Sequence, residues 1–156
     1  MANPLSIDLA EVLLQRLRRI SKADGYNTDA GQHVYFGPYS ASGLARAIVL
    51  QASEERVQSG GSNNRSFTLQ RTLKVSGFIK ADPKCEKGRD LEYLLADTKR
   101  ALFLWQPPEN LRTVGTAMTY VSTDLAPRKD GNEFESFDIT FTLTYQEAHG
   151  DPYAVR

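Results

Sequence analysis

Apolar residues at Ile7, Ala10, Leu13, Leu14, Leu17 and Ile20 recur at spacings of three and four. That period puts one oily face on a helix running to about Ser21. Arg16, Arg18, Arg19 and Lys22 cluster toward its end, where cations favour the negative pole of the helix dipole. Gly25 is the expected stop, because glycine takes a left-handed conformation without steric cost. Asn27, Thr28 and Asp29 then read as a turn folding back on its own backbone, ahead of a short edge strand over His33-Val34-Tyr35-Phe36-Gly37.

The period then changes from three-and-four to two. Leu44, Arg46, Ile48, Leu50 and Ala52 alternate with Ala45, Ala47, Val49 and Gln51, a strand that reads as buried on both sides. From Phe67 to Ala81 apolar odd positions alternate with polar even ones, and only Arg71 and Phe78 break the pattern. This is a long strand with one wet face. Phe137, Ile139, Phe141, Leu143 and Tyr145 alternate with polar partners near the end of the chain. Val114, Thr116, Met118, Tyr120 and Ser122 mark the companion strand, joined to it through residues 124–132.

Between the two hairpins a helix is expected from about Lys87 to Leu104. Leu91, Leu94, Leu95, Thr98 and Leu102 form its apolar stripe, while Arg89, Glu92, Asp97, Lys99 and Arg100 fill the other sides. Asp82-Pro83 ends the preceding strand, and Pro107-Pro108 prevents continuation of the helix. The order of elements implies an α+β two-layer sandwich, a mostly antiparallel sheet of four to five strands with two helices on one face. Leu73, Val75, Ile79, Ile139, Phe141 and Leu143 are expected to pack under Leu14, Leu17, Leu94 and Leu102. A single domain over residues 1–156 is expected, with a loose tail from about 148.

Lys plus Arg equals Asp plus Glu at 19 each, so the formal net charge is zero. A dedicated nucleic-acid binder would need a cationic surplus against phosphate. Neutrality also removes the self-repulsion that keeps copies apart. Cys85 is the only cysteine, so no intrachain disulfide forms. The start, Met-Ala-Asn-Pro-Leu-Ser-Ile-Asp, lacks the pattern of a signal peptide, and no run reaches the ~18 apolar residues of a membrane span. A soluble, cytosolically made product without a membrane partner is expected.

The same chain is poor in chemistry. His33 and His149 have no Cys or His at metal-ligand spacing, and His33 reads as a turn or edge residue. Cys85 lies among Lys84, Glu86 and Lys87, where positive neighbours lower a thiol's pKa, but no partner constellation surrounds it. Glu54-Glu55 and Glu133/Glu135 are carboxylate pairs that read as strand-end charges on a solvated face. Ser59-Gly60-Gly61-Ser62-Asn63-Asn64 has glycines but neither the Lys-Ser/Thr nor the helix of a phosphate-binding loop. No catalytic residue, metal ligand or cofactor is therefore assigned.

Interaction loops are the better candidates. Residues 53–66 form a polar connection of about fourteen residues where hairpins usually turn in two to five. It reads either as a tolerated insertion or as a loop or β-arm that orders against a partner. Arg56, Asn63, Asn64 and Arg65 are its candidate contact residues. Arg128, Lys129 and Asp130 in the 125–133 connection are a second set, and Tyr153 in the tail is a third.

A short helix ending in basic residues, then Ala23-Asp24-Gly25-Tyr26-Asn27-Thr28-Asp29-Ala30-Gly31, then the aromatic Val34-Tyr35-Phe36-Gly37-Pro38 strand, resembles the N-terminal region of the tail terminator (tail completion) proteins of long-tailed phages. The wording is recognisable over roughly residues 7 to 37. The layout of hairpin, helix and closing hairpin extends the resemblance over most of the chain. The resemblance implies a structural virion protein, made in the host bacterial cytoplasm, that closes a hexameric ring on the head-proximal end of the tail tube. It further implies that the ring stops tube polymerisation and docks the head connector, with DNA passing through its lumen without specific binding. Two other classes stay open: another neck or tail component, such as a head-tail joining protein or tube subunit, and a small enzyme whose turnover would depend on Cys85 or His33.

Overall fold

The computed structural model describes residues 3–38, 43–60, 65–84, 86, 88–104, 117–129 and 132–153. It is an α+β structure: helices α1 (Leu5–Arg18) and α2 (Arg89–Phe103) with a mixed sheet of β1 (Val34–Phe36), β2 (Arg46–Ser59), β3 (Ser66–Lys80), β4 (Ala117–Ala126) and β5 (Phe134–Ala148). The strands lie in the order β1-β2-β3-β5-β4. All pairings are antiparallel except β1 with β2, where Val34 faces Ile48 and Phe36 faces Leu50. Val114, Thr116, Lys87, Cys85 and Pro107-Pro108 lie outside the described residues.

The expected core is the observed one. Leu73, Val75, Ile79, Ile139, Phe141 and Leu143 share one buried cluster with Leu14, Leu17, Leu94 and Leu102. Ala47, Ile48, Val49 and Leu50 are all buried, as a two-sided apolar run requires. Gly77 opposes Phe137 across β3 and β5, and a methyl group there would collide with the Phe137 ring. The missing side chain makes the space that the aromatic ring fills.

α1 differs from its reading in phase. Leu5, Leu9, Ala10, Leu13, Leu14 and Leu17 are buried, while Ile7 is 43% exposed. Ala10, Leu13, Leu14, Leu17 and Ile20 of the expected stripe are buried, but the face is centred on the Leu5-Leu9-Leu13-Leu17 row and leaves Ile7 at its margin. The helix ends at Arg18, and Gly25, with φ +81°, closes a separate 3-10 turn over Lys22–Asp24 instead. Gly31 packs so closely on the end of α1 that an added Cβ would stand 2.8 Å from the Ile20 carbonyl oxygen.

Asn27 and Thr28 do not fold back on themselves. Their backbone N–H groups, the Asn27 amide and the Thr28 hydroxyl all donate to the Asp97 carboxylate on α2, at 2.8–3.1 Å. Only Asp29 makes the expected local turn, accepting from Lys22 N–H at 2.9 Å. Asp97 is therefore buried, at 2% exposure, and not on a solvated side of α2. Arg100, one turn on, donates to the Gly25 carbonyl at 2.8 Å and lies over the Tyr26 ring. The sequence that carries the family resemblance is thus a loop shaped to grip the second helix.

Glu135 also departs from its reading as a solvated carboxylate. It is 1% exposed and accepts the Gly88 N–H at 3.0 Å, immediately before the first turn of α2. A helix start without its own capping side chain is satisfied from strand β5, where a negative charge also favours the positive end of the dipole.

Candidate functional site

The polar stretch 53–66 is strand for most of its length. β2 continues to Ser59 and β3 begins at Ser66, paired from Glu54 opposite Thr72 to Ser59 opposite Thr68. Register shifts fall between Ala52 and Glu54 and between Val57 and Ser59, and such irregularities bend and twist an arm. Every residue from Ala52 to Ser59 is exposed. No period is written there because both faces of the arm are wet.

At the root of this arm lies an open polar cavity of about 380 Å³, lined by Ser6, Ala52, Ser53, Glu54, Glu55, Arg71, Tyr145, Glu147 and Pro152. The Tyr145 hydroxyl donates to Glu55 at 2.6 Å, and Arg71 stands 3.6 Å from the same carboxylate. This explains why Arg71 interrupts an otherwise apolar face. Burial, and then the bond to Glu55, push the Tyr145 hydroxyl far above the usual phenol range. Burial first, then the charges of Glu55 and Asp151, raise the Glu147 carboxyl as well.

That shift has a testable sign. In the folded chain Glu147 keeps its proton to higher pH than in the unfolded chain, whose value is near 4.5. Stability from this group is present at low pH and falls as pH rises from the ordinary carboxylate value through the raised one. Glu147→Gln is expected to be more stable than the parent near pH 7 and indistinguishable below about pH 4. Urea titrations at the two pH values check this, and equal stability of variant and parent at both would overturn it.

At the opposite end of the sheet lies a second, more basic cleft of about 500 Å³, lined by Lys80, Ala81, Pro83, Arg128, Lys129, Asn132 and Glu133. Lys80 pairs with Glu133 at 3.2 Å. The Asn132 side chain accepts from Phe134 N–H, which fixes the turn before β5. The strand β4 runs to Ala126, three residues further than the 124–132 connection was expected to allow.

The candidate contact residues therefore separate into two groups. Arg128 and Lys129 stand in the basic cleft. Arg56 lies on the arm, bound to Glu54 at 2.7 Å, and Arg65 leads into β3. Tyr153, 56% exposed, follows Pro152 at the arm's root. Asn63, Asn64 and Asp130 lie outside the described residues. The tail from about 148 is tied down as far as Tyr153: Pro152 accepts from Leu5 N–H at 2.9 Å, and the His149 ring packs on Phe67.

The short strand β1 is an edge strand, as its sequence implied, but the open edge of β4 and the uncovered length of β2 were not foreseen. β4 is the last strand in the order, and Tyr120, Val121 and Leu125 on it are exposed. On the other side β1 covers β2 only from Ile48 to Leu50. Beyond Leu50 the outer edge of β2 has no strand partner among the described residues. Unpaired strand edges are templates for another chain. Among the described residues no group of three or more His, Cys, Asp or Glu is placed to hold a metal ion. No helix there is long and apolar enough to cross a membrane.

No protein-family model and no curated protein matches this chain. Solved structures do. A chain of the virion of a native gene transfer agent particle superposes with a TM-score of 0.51 and 14% identity, over 86% of this chain and 92% of its own. The likeness is one of fold. A chain from an extracellular contractile injection system, titled as the sheath/tube terminator in its extended state, matches at a TM-score of 0.44 and 11% identity. That match covers all of this chain, which spans 62% of the terminator chain's length.

Proposed function

We propose that this chain is a structural tail protein that caps the tail tube as a ring, ends tube polymerisation and presents the surface to which the head docks. The observation that carries the reading is the fold shared over nearly the whole length of a chain from a gene transfer agent virion. The resemblance of residues 7 to 37 to tail terminators supports it from the sequence side. The open edges of β4 and β2 support assembly, since a ring needs two different patches that meet on neighbouring copies. In this reading copies form a hexamer, the partners are the tail tube protein and a head connector or neck protein, and the work is adhesive and steric, not catalytic.

Light scattering of the purified protein, followed by imaging after mixing with tail tubes, tests the proposal. Six-fold rings on tube ends are the expected result, whether or not rings exist beforehand. A protein that never localises to tube ends, and whose absence leaves tail length unchanged, would sink it. The exposed β2–β3 arm favours a second reading, a tube subunit, because an exposed arm offers its strand edges to a neighbouring copy. Spontaneous growth of long tubes from the pure protein would select that reading.

The tip of the arm gives a further expectation. Replacing residues 60–65 with an Asn-Gly turn leaves the fold intact, because the ladder is complete at Ser59 opposite Thr68. Particles carrying the shortened tip are expected to show unjoined tails or tails of uncontrolled length. Normal infectivity would reduce the tip to a tolerated insertion.

A further inference from the structure

We infer that the basic cleft is one half of a head-to-tail contact between copies of this chain, occupied by the carboxylate-bearing arm root of a second copy. The inference rests on the assembly reading above and names a contact which that reading leaves open. Among the described residues Arg128 and Lys129 form no ion pair, and the third cation, Lys80, is shared with Glu133. The cleft thus presents two uncommitted cations over an apolar floor of Ala81 and Pro83.

The arm root has the opposite imbalance. Its cavity holds Glu54, Glu55 and Glu147 against one cation, Arg71, which already faces Glu55. Arg56 is engaged by Glu54, and the raised Glu147 carboxyl has Glu55 and Asp151 as its charged neighbours. Glu147 is thus the carboxylate left without a cation, and a guanidinium or ammonium from outside, set beside it, relieves that crowding.

One copy cannot supply both halves. Phe134, which opens β5 beside the cleft, and Glu147, near its far end, are separated by thirteen residues of strand. At ~3.3 Å per residue that is roughly 43 Å. The contact is therefore between molecules, and joining opposite ends makes it heterologous, a geometry that closes into a ring when the rotation between copies closes and otherwise runs on as a filament. A protein carboxylate fits better than a nucleic-acid backbone: the cleft contains its own carboxylate, Glu133, and an apolar floor instead of a continuous cationic track.

Charge reversal tests this on the full chain. One variant carries Arg128→Glu with Lys129→Glu, the other Glu54→Lys with Glu147→Lys, and thermal unfolding verifies that each folds. Sedimentation at low salt is expected to show the parent associating, with dissociation at about 0.3 M salt as screening shortens the reach of the charges. Each variant alone is expected to associate at least about tenfold more weakly, and their equimolar mixture to recover. Recovery in the mixture is specific, because each altered end then meets its altered complement.

Should either reversal lose its fold, Lys129→Gln and Glu147→Gln are expected to weaken association in the same direction by smaller factors. A parent that stays monomeric at low salt, variants that associate like the parent, or a mixture no stronger than its parts would each overturn the inference. Release of a short DNA duplex by Arg128→Glu with Lys129→Glu, with self-association unchanged, would assign the cleft to nucleic acid and overturn it too. Rings on tube ends that tolerate both reversals would keep the terminator reading and remove this contact. Charge-dependent association without any ring would do the reverse.

Discussion

Asp97→Ala is expected to destabilise the fold by on the order of 3–5 kcal/mol, read as a shift of the urea unfolding midpoint. The Asp97 carboxylate accepts four hydrogen bonds from Asn27 and Thr28 and is nearly inaccessible to water. Truncation orphans two backbone N–H groups and a buried hydroxyl together, and each orphan costs its own desolvation. Asp97→Asn should lose less, because one carbonyl oxygen remains as an acceptor while the new amide meets donors. If Asp97→Ala unfolds within about 1 kcal/mol of the parent, the loop 21–31 has another anchor and the clamp is incidental.

Phe141→Ala is the second large effect, on the order of 3–5 kcal/mol from lost burial and the cavity left behind. Phe141 is fully buried, and across the sheet it opposes Leu73 on one side and Tyr120 on the other. β5 is flanked on both edges, so neither neighbouring strand is free to move into the space. The same unfolding experiment applies. An effect below about 1 kcal/mol would mean that the core collapses around the gap.

These two sites mark what the sequence did and did not make legible. Phe141 is announced by strict alternation, because β5 and β3 each keep one face on the helices and the other in water. The order of elements follows from the same periods. Charged residues were assigned to water by type, and that rule failed where geometry overrode it. Asp97 lies three residues after Leu94 and four before Ala101, in phase with the buried stripe. Glu135 shares the parity of Phe137 and Ile139. The phase was the available signal for both residues, and the reading by residue type passed over it.

The β-arm was illegible for the converse reason. From Glu54 to Ser59 neither face meets the core, so no alternation is written into the sequence. The parallel pairing of β1 with β2 leaves no local trace either, since it depends on how the chain returns after residue 38. The basic cleft joins Lys80 to Arg128 and Lys129 only because β3 and β5 pair in one register, Lys80 opposite Phe134. The candidate residues were found as isolated loop charges, and their division between two ends of a sheet is a property of the ladder.

The sheet order has a kinetic meaning as well. β5 lies between β3 and β4, yet it is the last of the strands along the chain. While a nascent chain ends before Phe134, β3 has a bare side, α2 has no Glu135 beneath its first turn, and β4 has nothing to pair with. Contacts of such long sequence separation form slowly. The arm root draws Tyr145 and Glu147 from this same strand, so the acidic end of the molecule does not exist until β5 has been made and paired. On the contact inferred above, a copy that ends before Phe134 lacks the acidic joining surface and offers a neighbour the basic one alone.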